Sequence, residues 1–212
     1  APVAFPFRGV SIDPYTLGVW LGDGTRRTGR VTSHDEEVRA RIVRAGYACG
    51  RFHLNKISGH THFCVRGLRE HLREYHLCDL FSHQRFVPDA FKFNAPDVRR
   101  EILRGLFDSD GCVDQDGTLS FTSTSKCLAD DVAWLSRSLG AKVRYRKVKQ
   151  GRYRDNDGIV KRVRDAHMVN VCAPYGEHWV TVPRKADRTR LTTQDRYLSR
   201  WVASITSDGE AE

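Results

Sequence analysis

Two short segments of the chain end in the same pair, aspartate then glycine. They are Thr16-Leu17-Gly18-Val19-Trp20-Leu21-Gly22-Asp23-Gly24 and Leu103-Arg104-Gly105-Leu106-Phe107-Asp108-Ser109-Asp110-Gly111. Aligned on that pair, small residues fall four apart in each copy: Gly18 and Gly22 in the first, Gly105 and Ser109 in the second. On a helix this spacing puts both small residues on one face. Two such helices can touch along these faces and bring Asp23 and Asp110 side by side. Adjacent carboxylates at helix C-termini repel each other and the negative end of the dipole. One of them is then expected to hold a proton unless a cation intervenes. Hard oxygen ligands favour Mg2+ or a similar divalent ion such as Mn2+. Such an ion activates water and stabilises the leaving oxygen of a phosphodiester. Asp23 and Asp110, with the adjoining Gly22 and Ser109, are the candidate metal positions; waters and phosphate oxygens would complete the shell. Asp108 has no counterpart in the first copy, where Leu21 stands, and two residues away on a helix it points elsewhere.

The elements that must position these residues follow from caps and turns. Asp13 and Pro14 suit the start of the first motif helix, and Gly24 its end. Residues 30–33 read as a strand and 35–45 as an amphipathic helix with Val38, Ile42 and Val43 on one side. Residues 47–55 and 61–65 read as a hairpin around Ser58-Gly59, and 68–75 as a helix. After a looser stretch with Pro88 and Pro96 the order repeats. A second motif helix begins at Pro96 and Asp97. A hairpin of 112–114 with 118–122 turns at Asp116-Gly117. An amphipathic helix covers 125–139, and a second hairpin pairs 143–149 with 160–171, with Asp157-Gly158 near its turn. Thr32-Ser33 precedes one amphipathic helix and Thr122-Ser123 the other. This predicts an internal duplication, with halves at 1–93 and 94–212, forming one pseudo-twofold α+β unit around the motif helices.

Composition narrows the partners. Of 212 residues, 40% are hydrophobic and 29% charged, which describes a soluble globular chain with no apolar run long enough to span a bilayer. Residues 1–7 lack the pattern of a signal peptide, so the expected location is cytoplasmic. Six scattered cysteines without a Cys-x-x-Cys pair predict free, mostly buried thiols rather than disulfides or zinc. His60-x-His62 has no carboxylate or thiol partner nearby in sequence and is a weak metal signal. The net charge of +9 favours a polyanion. Most of it lies in residues 142–164, where ten basic residues face only Asp155 and Asp157. Lys142, Arg144 and Arg146 alternate and so share a strand face. Lys149, Arg152, Arg154, Arg162 and Arg164 extend that surface. In the first half Arg51, His53 and Asn55 are predicted to share a face opposite Phe52 and Leu54, and Arg26, Arg27 and Arg30 directly follow the first motif. Strands bearing such residues can enter a major groove and read base edges, which makes all of these the candidate DNA-binding residues.

The paired motif resembles the LAGLIDADG homing endonucleases, in the intein-encoded form with two motifs in one chain. Other segments agree: Phe86-Val87-Pro88 before the second motif, Phe121-Thr122-Ser123-Thr124-Ser125-Lys126 before its amphipathic helix, and the tail Arg200-Trp201-Val202-Ala203-Ser204-Ile205, which looks like a return to a splicing domain. The resemblance implies two αββαββα-type halves with saddle-shaped antiparallel sheets. It implies a monomeric, Mg2+-dependent, site-specific endonuclease that cuts double-stranded DNA across the minor groove of a long site. The family places basic residues beside the carboxylates. Arg85, three before Pro88, and Lys185, in Pro183-Arg184-Lys185, are the matching positions. An arginine there hardly deprotonates and would act by stabilising charge. Position 1 carries neither cysteine nor serine and the C-terminus no His-Asn, so the expectation is the endonuclease part of an intein alone. The alternative is an inactive DNA- or RNA-binding relative, a maturase or regulator, against which the intact carboxylate pair counts.

Overall fold

Pro14 fixes the first helical φ and the Asp13 carboxylate accepts from the Thr16 amide at 2.8 Å, so helix α1 (Pro14–Asp23) starts at its cap signal. The computed structural model describes residues 2–189, apart from 57–58, 116, 149–151, 155–159, 163 and 175. The first half continues with β1 (Arg30–Thr32), α2 (Glu36–Arg44), β2 (His53–Leu54), β3 (Thr61–Cys64) and α3 (Leu68–Glu74). A 3-10 turn at Ser82–Gln84 and the short α4 (Asp89–Lys92) lead to the second motif helix, α5 (Pro96–Ser109). Then follow β4 (Gly111–Val113), β5 (Leu119–Ser123), α6 (Lys126–Ser138), β6 (Lys142–Val148), β7 (Arg152–Arg154), β8 (Val160–Arg162), β9 (Ala166–Cys172) and α7 (Pro183–Ala186).

Both halves build antiparallel sheets in one order. The second is β4-β5-β9-β6, and the first is β1-β3-β2. An isolated bridge from Gly24 to Val31 stands where β4 pairs with β5, which completes the match. Each sheet buries one face, as period-two alternation requires. Val31 and Phe63 lie on it in the first half; Val113, Leu119, Phe121, Val143, Val169 and Val171 lie on it in the second.

The motif helices meet at the centre. A Cβ on Gly18 would lie 2.3 Å from the Ile102 carbonyl oxygen, and one on Gly105 2.2 Å from that of Tyr15. Only glycine permits this approach, so the predicted small-residue contact is real. Tyr15 to Leu21 are all buried, which makes α1 a core helix on every side. The first residues cross to the second half: the Val3 amide donates to the Ser138 carbonyl at 2.8 Å, Asn94 bonds both backbone groups of Arg8, and Phe5 stacks on Trp134.

Three expectations are corrected. The strand over 47–55 is regular only at β2, with one bridge from Cys49 to Val65. Gly50 offers no side chain to pack there, and Leu54 is 64% exposed. The strand over 160–171 divides: β9 pairs with β6 and β8 with β7. β9 has Val169 and Val171 to bury, whereas Val160-Lys161-Arg162 offers no such face. The six cysteines are free, but only Cys78 is buried; Cys64, Cys112, Cys127 and Cys172 are exposed. Cys64, Cys112 and Cys172 sit on the outer sheet faces, where alternation puts them. Among the described residues no helix is long and apolar enough to cross a membrane. Ser58, Asp116 and Asp157 of the expected turns, and the tail from Arg200 to Ile205, lie outside the described residues.

Candidate active site

The contact between α1 and α5 continues to their last turns. A Cβ on Gly22 would lie 2.3 Å from Ser109 Oγ and 3.1 Å from Asp110 Cβ. Asp23 and Asp110 therefore emerge from adjoining helix ends, as the motif spacing predicts. Desolvation by the surrounding protein raises the Asp110 pKa, the Asp23 charge raises it further, and it reaches about 7. Asp110 keeps one side open to water, so the effect comes from crowding beneath the carboxylate rather than enclosure. Asp23 is also raised by desolvation, against the opposing pull of Lys185, Arg85 and Arg184. Among the described residues no hydrogen-bond donor or ion-pair partner sits on either carboxylate. Two strained, unbonded carboxylates form a donor set that suits a hard divalent cation. No group of three or more His, Cys, Asp or Glu placed to hold a metal ion gathers among the described residues.

Arg85 and Lys185 arrive at this point as buried cations, 4% and 7% exposed. Arg85 Nη1 donates to the carbonyls of Trp20, Leu21 and Gly22 at 3.2, 2.9 and 3.2 Å, and Nη2 donates to Gly24. Lys185 Nζ donates to those of Phe107, Asp108 and Ser109 at 2.9, 2.8 and 2.9 Å. In the motif alignment these are the same three positions. Each cation thus caps the carbonyl end of its motif helix, where orphan acceptors and the negative dipole concentrate. The Gly22 and Ser109 carbonyls proposed as metal positions each already accept one such bond. Burial lowers the pKa of both cations, and for Lys185 the neighbouring Arg184 adds to this. They reach the same place from opposite sides of a Val-Pro pair: Arg85 precedes Val87-Pro88 and Lys185 follows Val182-Pro183. Sequence register alone could not have paired them.

Several residues that hold these cations escaped the sequence reading. Ser125 Oγ donates to the Arg85 carbonyl at 2.6 Å, and Asp131 accepts from the Val87 amide at 2.7 Å. Asp108 is fully buried and accepts from Tyr15 Oη at 2.9 Å, the Thr181 amide at 2.6 Å, the Thr181 hydroxyl and the Val182 amide. That ties the chain entering α7 to both motif helices. Asp35 binds Arg184 through two 2.8 Å bonds. Asp35 and Ser125 occupy the cap positions of α2 and α6, the one signal that marked them.

Comparison with known proteins places this geometry. Residues 97–170, from α5 into β9, match the family described as the LAGLIDADG-like domain. The structure of I-DmoI in complex with DNA and Ca superposes with a TM-score of 0.51 over 82% of this chain and 94% of that one, at 14% identity. Residues 97–170 of this chain thus carry a LAGLIDADG-like domain. Structures of mesophilic variants of the homing endonuclease I-DmoI give a TM-score of 0.49 at 15% identity, over 82% of this chain and 94% of that one. A replicative DNA helicase DnaB of Mycobacterium intracellulare is 33% identical over 135 residues, which is 64% of this chain and 20% of that protein. The chain thus spans about a fifth of that relative's length.

The remaining predicted residues fall into groups. Lys142, Arg144 and Arg146 are exposed along one face of β6, opposite Cys172, Asn170 and Met168 of β9. Arg164 is exposed, and Arg152, Arg154 and Arg162 have their backbones in β7 and β8. Lys149 lies outside the described residues, as do the side-chain positions of those three arginines. Arg30, Arg51, His53 and Asn55 are exposed. Phe52 turns inward onto Phe63, but Leu54 does not join it, so the predicted alternation holds only in part. Arg26 and Arg27 also bond within the protein: Arg26 Nε donates to the Asp79 carbonyl at 2.7 Å and lies over the Phe81 ring, and Arg27 Nε donates to the Asp79 carboxylate at 2.9 Å while its side chain stays 64% exposed.

Proposed function

We propose that this chain is a monomeric, site-specific endonuclease of the LAGLIDADG type that hydrolyses both strands of double-stranded DNA with a divalent cation, Mg2+ or Mn2+. The observation that carries the reading is the carboxylate pair at the touching helix ends, crowded by protein and without donors among the described residues. Asp23 and Asp110 would hold the ion, which supplies an activated water and charge stabilisation at the phosphodiester. Arg85 and Lys185 quench the helix-end carbonyls behind the pair and offset part of its negative charge. One chain contributes both motif helices, so the site is complete without a second copy. The outer faces of the two sheets supply exposed basic side chains on the motif-helix ends' flanks for the duplex. The likeness to part of a DnaB helicase supports an origin as the endonuclease part of an intein.

The test begins with a duplex enriched from a randomised library by wild-type binding in Ca2+. Asp23→Asn and Asp110→Asn are expected to bind that duplex like the wild type and to leave it uncut in Mg2+. Either variant cutting at the wild-type rate would remove that aspartate from the chemistry.

A further inference from the structure

Both buried cations are committed chiefly to backbone carbonyls. Lys185 directs its three N–H groups at three carbonyls. Arg85 is 4% exposed, with Nη1 and Nη2 on carbonyls of residues 20–24 and Nε buried without a partner among the described residues. Arg184 differs from both. Its side chain is 48% exposed. Its Nε and Nη2 grip the two oxygens of Asp35, and among the described residues nothing takes Nη1. Asp35 is itself 7% exposed at the head of α2, so a fixed carboxylate of the first half orients an arginine of the second. This two-point grip pre-organises the guanidinium and leaves one edge outward.

Arg184 and Asp35 line a cleft of about 670 Å³ together with Asp23, Arg85, Ser109 and His34. Asp110 does not line it. The open cation therefore stands on the Asp23 side of the pair. We propose that Arg184 Nη1 contacts the DNA phosphate held beside Asp23, and that Asp35 is the residue that positions it. The contact serves one strand, because the cleft that Arg184 lines reaches Asp23 and not Asp110. The inference rests on the endonuclease reading.

The test uses the full chain and the duplex enriched by binding, with each strand separately labelled. Cutting of each strand in Mg2+ is followed for wild type, Arg184→Gln, Arg184→Lys and Asp35→Asn. Arg184→Gln is expected to slow one strand by on the order of 10²-fold, the cost of removing one pre-organised donor, and to leave the other near the wild-type rate, so nicked duplex accumulates. Asp35→Asn slows the same strand by less, and Arg184→Lys restores part of the rate. Arg184→Gln also flattens the salt dependence of binding by about 0.9 in the log–log slope, one phosphate contact. A purely structural role would slow both strands together, and that result, or no effect on either, overturns the proposal. If the wild type binds the duplex and cuts neither strand, the endonuclease reading fails, and an unchanged salt slope then overturns the phosphate contact as well.

Discussion

Asp110 has two reasons to keep a proton at neutral pH: the protein packed beneath its carboxylate and the Asp23 charge beside it. The sign of the consequence follows from linkage. A carboxyl raised in the folded state binds a proton that the unfolded chain has released. The stability this gives is fully present below the unfolded value of 3.8 and is lost as pH rises through about 7. Asp110→Asn removes the penalty, so in EDTA its Tm is expected above the wild type at pH 8 and equal to it at pH 4. A rise from 3.8 to about 7 would be worth about 4 kcal/mol if the carboxyl were fully enclosed. Solvent on the open side of Asp110 cuts that to about 1 kcal/mol, roughly 2–4 °C in a chain of this size. A gain that persists at pH 4 would place its cause outside this titration. The carboxylates were legible in the sequence because duplication wrote them twice at one spacing. Arg184 was not, because its orientation comes from Asp35, 149 residues away, and nothing in either local sequence names the other.

The helices were legible for a different reason. Asp13-Pro14, Ser125 and the spaced apolar residues of α6 are local signals, and the structure begins and ends these helices within a residue or two of them. Strands depend on partners, so the 160–171 segment read as one strand while pairing divides it in two. The central contact between α1 and α5 makes the sharpest prediction at this scale. Helix propensity alone would make Gly105→Ala stabilising by about 1 kcal/mol. Here the added Cβ would meet the Tyr15 carbonyl oxygen at 2.2 Å and the Val19 amide nitrogen at 2.7 Å, backbone atoms that cannot rotate away. The expected outcome is a net loss of about 1–3 kcal/mol, read as a drop of several degrees in Tm. Gly9→Ala, where an added Cβ meets nothing within 4 Å, serves as the neutral comparison. Equal Tm values for Gly105→Ala and wild type would mean that the helices do not approach as closely as described.

At the scale of the whole molecule the two sheets repeat one topology but not one chemistry. Thr32 faces His62 and His62 faces His53 across the first sheet; in the second the same row reads Thr122, Met168 and Arg146. The outer face of the first sheet thus carries histidines where the second carries arginine. Lys142, Arg144 and Arg146 stand exposed in line along β6, directly opposite the uncharged Cys172, Asn170 and Met168, so little neutralises them within their own sheet. Binding of a duplex should therefore lean on the second half for its electrostatic part. Each phosphate neutralised contributes about 0.9 to the slope of log affinity against log salt. Replacing Lys142, Arg144 and Arg146 together by glutamine is expected to flatten that slope by about 2.7, measured by fluorescence anisotropy on the enriched duplex. Arg137→Gln, on the exposed side of α6, removes a charge away from both sheets and is expected to leave the slope unchanged. A triple variant that weakens binding with no change of slope would show that these side chains read base edges or shape rather than phosphates. The same flattening per charge removed in Arg137→Gln would show that the net charge of the chain, and not the face of β6, attracts the duplex.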